Sequence, residues 1–191
     1  MNETDNVVDN LTRRNETFAG SRFSPGLKMM PSMKTMVIGC IDPRVDPADV
    51  LGLAPGEAAV IRNIGGRLDP ATLQTMALMR TVAQSRGGNV GAGWNLIVLH
   101  HTDCGIVDCH VHAPVQLAKH LAVEPETLDA LAIGDPHAAV ALDVAALKAN
   151  PKLPAEILVT GLVYDVASGL VETVVPTAPL RPAAALPKGG A

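Results

Sequence analysis

The chain has 191 residues, 48% hydrophobic but only 2% aromatic, with a formal net charge of −4. That length supplies one domain with a buried core and is short for two. Scarce aromatics exclude a stacking platform for single-stranded nucleic acid, and the acidic balance argues against nucleic acid as a partner.

Residues 1–30 are polar and carry one amphipathic helix. The opening MNETDNVVDNLTRRNETF holds no apolar export core, and no apolar run reaches the roughly 18 residues of a membrane span. The three cysteines show no disulfide pattern and read as reduced thiols or metal ligands. The cytoplasm is the expected location. The apolar run 36-MVIGC-40 predicts a buried strand, followed over 41–52 by a loop and a short helix. A second strand is predicted at 58-AAVIRN-63, closed by 64-IGGR-67.

Asp69 and Pro70 form a helix start, N-cap then first helical residue. The helix runs through 71–85 to Gly87-Gly88; it is apolar around much of its circumference, which predicts deep burial. The third strand is 95-NLIVLHH-101. Residues 113–149 read as mostly helical, interrupted at Pro125 and at Gly134-Asp135-Pro136. The fourth strand is 156-EILVTGLVYDV-166, and 170-LVETVV-175 after a turn is an antiparallel edge strand. The tail 176–191, rich in Pro, Ala and Gly, is expected to be disordered. The fold class is therefore α/β: a largely parallel central sheet flanked by helices, in one domain spanning 1–175.

Such sheets place their sites at the carboxyl ends of strands. The first strand ends at Cys40, and the third runs into 99-LHHTDCGIVDCH-110. If those strands are neighbours, Cys40, His101 and Cys104 meet at one edge. A Cys₂His set suits tetrahedral zinc, and three ligands leave a fourth position for water. A His-x-x-Cys pair alone is a weak signal, since a free cysteine is often a small core residue. Asp42 and Arg44 follow Cys40 at a spacing that allows a charge-assisted pair. Pro43 biases Asp42 away from helical backbone.

The motifs 38-IGCIDPR-44, 61-IRNIGG-66 and 99-LHHTDCG-105 resemble those of the β-class carbonic anhydrases, in the same order and at similar separations. The resemblance spans roughly 30–175 and includes 161-GLVYDVASG-169. It implies zinc on Cys40, His101 and Cys104 and a catalytic Asp42–Arg44 dyad. It further implies reversible hydration of CO₂ to bicarbonate and a proton by zinc-bound hydroxide, and a homodimer or higher homo-oligomer whose N-terminal helix embraces the partner. The family usually has Ser where this chain has Pro43, and the aromatics that often line its cleft are nearly missing. Two alternatives follow: hydrolysis of carbonyl sulfide or carbon disulfide on the same scaffold, and a zinc-stabilised regulatory module without catalysis.

The remaining candidates read mainly as structural. Asp103 serves either to orient a ligand or to stabilise the turn. His100 points away from His101 and is structural. Cys109, His110 and His112 make a second metal-capable cluster, read as a half of the stretch without a metal. Gly65-Gly66 lacks the phosphate-loop spacing and reads as close backbone approach.

Overall fold

The structure is a computed structural model and describes residues 6–182. The order of elements is α1 (Val7–Ser21), β1 (Thr35–Cys40), α2 (Pro47–Val50), β2 (Ala58–Asn63), α3 (Pro70–Ser85) and β3 (Asn95–His101). It continues with α4 (Ile106–His112), α5 (Pro114–Leu121), α6 (Pro136–Ala149), β4 (Leu158–Tyr164) and β5 (Val171–Pro179). Short 3₁₀ turns lie at Pro43–Val45, Ile64–Gly66 and Pro125–Leu131. The sheet order is β2-β1-β3-β4-β5, with β4 and β5 the antiparallel pair.

The three central strands form because their apolar runs are covered. All six residues of β1 are buried. Helix α6 packs Val140, Val144 and Leu147 with Ile38, Val98, Val159 and Val163 into the main core. A second, smaller core of Ile106, Leu117, Ala118, Leu121, Leu128 and Ile133 joins α4, α5 and the Pro125–Leu131 turn behind the carboxyl edge of the sheet.

Three expectations are corrected. Helix α3 starts at Pro70 with Asp69 accepting from the Thr72 N–H, as predicted, but it buries only Thr72, Met76 and Ala83. One stripe of it docks on the sheet, and Leu78 is left 60% exposed. The tail does not begin at 176: β5 pairs with β4 through Pro179, and Leu180 is buried. Pro176 and Pro179 sit in an edge strand, where a missing N–H can face solvent without breaking the ladder. Of the tail, 183–191 lies outside the described residues, as do 1–5 of the N-terminal arm. Finally, helix begins at Ile106, earlier than 113.

Candidate metal centre

Strands β1 and β3 are parallel neighbours, with Gly39 opposite Leu99, so Cys40 and His101 end at the same edge of the sheet. From β1 the chain first crosses to β2 on one side and then to β3 on the other. The gap above β1 and β3 is thus the switch point of the sheet, where doubly wound folds bind ligands. After His101 the chain turns through Thr102 and Asp103. Asp103 adopts left-handed backbone (φ +54), which brings Cys104 back over β1.

The result is a triangle. The Cys40 and Cys104 sulfurs are 3.8 Å apart, and the ligand atoms of Cys40, His101 and Cys104 all lie within 4.8 Å of one another. Two sulfurs each about 2.3 Å from one tetrahedral zinc would stand about 3.8 Å apart, so the spacing fits the ion. His101 Nδ1 is 2.8 Å from the Thr102 carbonyl. A carbonyl only accepts, so that nitrogen carries the proton. Nε2 is buried and without a hydrogen-bond partner, a lone pair suited to a metal.

The local charge also favours a cation. The Cys104 thiol, donating to the Cys40 sulfur, holds Cys40 down to about 4 against burial, and Cys104 is pushed up by the same contact. Burial presses His101 down, but the Cys40 sulfur and Asp42 outweigh it and hold the imidazole above its ordinary value. An anionic sulfur beside a proton-seeking imidazole is a pocket short of positive charge.

Backbone packing around the triangle is tight. Gly66 has φ +64, and a Cβ there would stand 3.0 Å from the Cys40 nitrogen and 3.1 Å from the Leu99 carbonyl oxygen. The glycine loop therefore lies directly on the ends of β1 and β3, the close approach predicted for it. Asn63 holds that loop: its Nδ2 donates to the Arg67 carbonyl and the Thr72 hydroxyl, and its Oδ1 accepts from the Arg67 N–H.

Asp42 lies outside the helical backbone region (φ −53, ψ 125), as Pro43 predicts, and it pairs with Arg44 across a turn. Asp42 caps the 3₁₀ turn Pro43–Val45, accepting from the Arg44 N–H at 2.9 Å. The Arg44 side chain then folds back on the same carboxylate, Nε to Oδ1 at 3.1 Å and Nη2 to Oδ2 at 2.7 Å. These bonds hold the Asp42 carboxyl down at about 2. Pro43 fits because the first residue of a helical turn needs no N–H. Asp42 is not among the three residues of the triangle, yet its N–H lies 3.5 Å from the Cys40 sulfur.

The structure adds residues that carry no role in the sequence reading. Arg62 clamps the loop after β1, with Nε on the Cys40 carbonyl at 2.8 Å, Nη2 on the Asp42 carbonyl at 2.7 Å and Nη1 on Asp46 at 2.5 Å. The 161–169 motif holds the ligand turn: the Thr102 hydroxyl donates to Asp165 at 3.0 Å and accepts from the Val166 N–H. His100 is buried, as expected of a structural residue, and faces Asp143 of α6, which also takes the Arg67 guanidinium at 2.9 Å. The second cluster does not assemble. Cys109 packs against the smaller core, His110 faces Asp129 at 3.2 Å, and His112 is exposed. Among the described residues, no other His, Cys, Asp or Glu group gathers like the triangle.

The triangle opens into a cleft of about 450 Å³ lined by Asp42, Arg44, Arg67, Asp103, Ile106 and Ile133. A larger apolar groove, lined by Met36, Leu73, Met76, Trp94, Leu153 and Ile157, contains no ligand set. Two sulfurs and an imidazole at the carboxyl edge of a parallel sheet, with a cleft beside them, make a candidate zinc site whose three ligands would leave a fourth position open.

The comparisons agree. The family model for carbonic anhydrase matches residues 35–132, about half of the chain. Beta-carbonic anhydrase 1 of Mycobacterium tuberculosis is 29% identical over 173 residues, 89% of this chain and 99% of that protein. The crystal structure of carbonic anhydrase from Streptococcus mutans superposes with a TM-score of 0.69 at 30% identity, covering 89% of this chain and 98% of that one. A carbon disulfide hydrolase of Saccharolobus solfataricus is 28% identical over 101 residues, 52% of this chain and 44% of that protein. The chain belongs to the β-carbonic anhydrase family, a family of zinc enzymes.

Proposed function

We propose that the protein catalyses the reversible hydration of CO₂ to bicarbonate and a proton, with Cys40, His101 and Cys104 as zinc ligands and Asp42 and Arg44 as the working dyad. When bound, zinc supplies a water acidified enough to act as nucleophile. The observation that carries the reading is the position of Asp42: beside the ligand triangle, outside it, and held by Arg44. Kept ionised, its carboxylate accepts a hydrogen bond from the attacking water and aims its lone pair at carbon. Arg44 keeps that carboxylate from turning to the metal. Ile106 and Ile133 give a linear apolar substrate an apolar wall, and the cleft releases bicarbonate and the proton to solvent.

The partial likeness to a carbon disulfide hydrolase supports a second reading, in which the same nucleophile attacks carbon disulfide or carbonyl sulfide. The deciding experiment is stopped-flow CO₂ hydration on protein of known zinc content, with carbon disulfide and carbonyl sulfide hydrolysis assayed on the same preparation. Fast CO₂ turnover at about one zinc per chain is expected. Full zinc with turnover only on the sulfur compounds would replace the first reading by the second, and full zinc without any turnover would leave a non-catalytic zinc module.

A homodimer or higher homo-oligomer belongs to the same reading. What supports it is α1, which buries no residue among the described residues and exposes Val7, Val8 and Leu11. An amphipathic helix with nothing beneath its apolar side needs a second surface.

A further inference from the structure

One edge of the Arg44 guanidinium is explained by Asp42. The other edge is not idle. Nη1 donates to Asp103 Oδ2 at 2.7 Å, and Nη2 donates to the Asp103 carbonyl oxygen at 2.8 Å as well as to Asp42 Oδ2 at 2.7 Å. The guanidinium is therefore clasped from both sides, by a fork on Asp42 and a fork on Asp103. Two forks fix the plane and the position of an arginine in a way that one point contact does not.

Asp103 is itself fixed. It stands between the ligands His101 and Cys104, with φ +54. The backbone that places those two ligands also places the Asp103 carbonyl and carboxylate. A glycine would adopt that backbone more easily, so the turn has no need of a carboxylate. The side chain is largely exposed, where an ion pair adds little to folding. A carboxylate that the turn does not require, aimed at the dyad, has its use in the dyad.

The geometry points to Asp103 as a positioning residue for turnover: it anchors Arg44 to the metal-ligand turn, and Arg44 thereby holds Asp42 in its working orientation. Without the anchor, Arg44 has a long flexible side chain and can follow Asp42 as that carboxylate moves. With it, the guanidinium stays put, and any rotation of Asp42 toward the metal breaks a fork whose other half does not yield. The inference rests on the dyad reading given above. It concerns the rate of the chemical step, since Asp103 acts through two other side chains and not on the substrate.

The test uses the full-length zinc-loaded protein in five forms: wild type, Asp103→Gly, Asp103→Asn, Asp42→Ala and the double variant Asp42→Ala/Asp103→Gly. Glycine tolerates the left-handed backbone and removes only the side chain; asparagine tolerates it and keeps an acceptor for Nη1. Zinc content, kcat and KM for CO₂ hydration are measured for each. Separately, the exchange rate of the Arg44 Nε–H is followed by NMR in ¹⁵N-labelled protein, assigned by its loss in Arg44→Lys.

Asp103→Gly should keep its zinc and its KM within about twofold and lose about tenfold in kcat. Asp103→Asn should recover most of that loss. The Arg44 Nε–H should exchange faster in Asp103→Gly than in wild type or Asp103→Asn. In the Asp42→Ala background, removing Asp103 should cost no further activity, because the anchor has nothing left to position. The inference is overturned if Asp103→Gly keeps wild-type kcat, if it loses zinc in place of rate, if Arg44 exchange is unchanged, or if the loss is the same without Asp42. An Asp42→Ala protein with near wild-type kcat would instead overturn the dyad reading, so the two failures are distinguishable.

Discussion

His100 Nε2 stands 3.2 Å from Asp143 Oδ2, within ion-pair range, so the residue before the candidate ligand His101 faces helix α6. The same carboxylate takes the buried Arg67, whose Nη1 also reaches the Leu131 carbonyl. One aspartate thus serves two basic side chains under the floor of the cleft. Asp143→Ala leaves a buried guanidinium uncompensated and is expected to destabilise the protein by about 3–5 kcal/mol, because the partner's charge stays buried. Chemical denaturation measures it; a loss under about 1 kcal/mol would show that Arg67 finds another acceptor.

Acid should act through the same residue. Burial presses the Asp143 carboxyl up, but His100 and Arg67 outweigh it, so its folded value lies below the ordinary carboxylate range. A carboxylate depressed in the fold stabilises it above the unfolded value, and that contribution is lost as pH falls toward the folded value. Stability should therefore drop from about pH 5 downward, and the drop should shrink in Asp143→Ala. Identical acid profiles for the two proteins would rule Asp143 out as the cause.

Removing the metal should separate folding from site integrity. Cys40 belongs to neither apolar cluster, and Cys104 only packs against the edge of the smaller one. Chelation should lower the melting midpoint and leave the far-UV circular dichroism of the α/β fold in place at room temperature. Cys40→Ser should bind at least tenfold less zinc, since it replaces a soft ligand at a fixed 3.8 Å from its partner sulfur. Equal zinc content in Cys40→Ser would remove Cys40 from the ligand set.

Two glycines with the same backbone angle provide a controlled contrast. Gly52 and Gly66 both have φ +64, but a Cβ at Gly52 meets nothing within 4 Å, whereas at Gly66 it meets the backbone of β1 and β3. Gly52→Ala should cost only the left-handed term, about 1–2 kcal/mol. Gly66→Ala should cost more and also weaken zinc binding, because the loop must lift off Cys40. Similar stability and zinc affinity for both variants would mean that the loop yields freely.

Turnover should rise into the alkaline range. Two thiolates offset the formal charge of a zinc ion, whereas three neutral histidines leave it intact and bring the bound water to a pKa of about 7. The Cys40 and Cys104 ligands should therefore acidify water less. A hydration rate that is flat from mildly acidic to alkaline pH would contradict this.

The meeting of Cys40, His101 and Cys104 was legible in the sequence because each sits at a strand end or within three residues of one. Those boundaries come from short-range apolar patterning, and β3 spans the residues predicted. The long-range side-chain supports were not legible. Arg67 and Asp143 are 76 positions apart, and Arg44 and Asp103 are 59 apart. Nothing local in either partner announces the other. Arg62 lay within a quoted motif, yet its three acceptors include two backbone carbonyls, which no side-chain pattern encodes. The end of β5 was missed because Pro176 and Pro179 look like breakers until the strand is known to be an edge. Helix α3 was read as deeply buried from its composition, when a helix laid on one sheet offers it only one contact face.

Cys40 and His101 come to the candidate metal triangle from two parallel strands whose pairing is set by separate parts of the chain. In a strand, alternate side chains face opposite ways, so a slip of one residue between β1 and β3 would turn one ligand to the wrong side. An ion that binds both can bind only the correctly aligned sheet, and binding draws the population toward that alignment. Zinc held by the full triangle would therefore favour the correct alignment: a slipped sheet offers the ion only part of the ligand set and holds it more weakly.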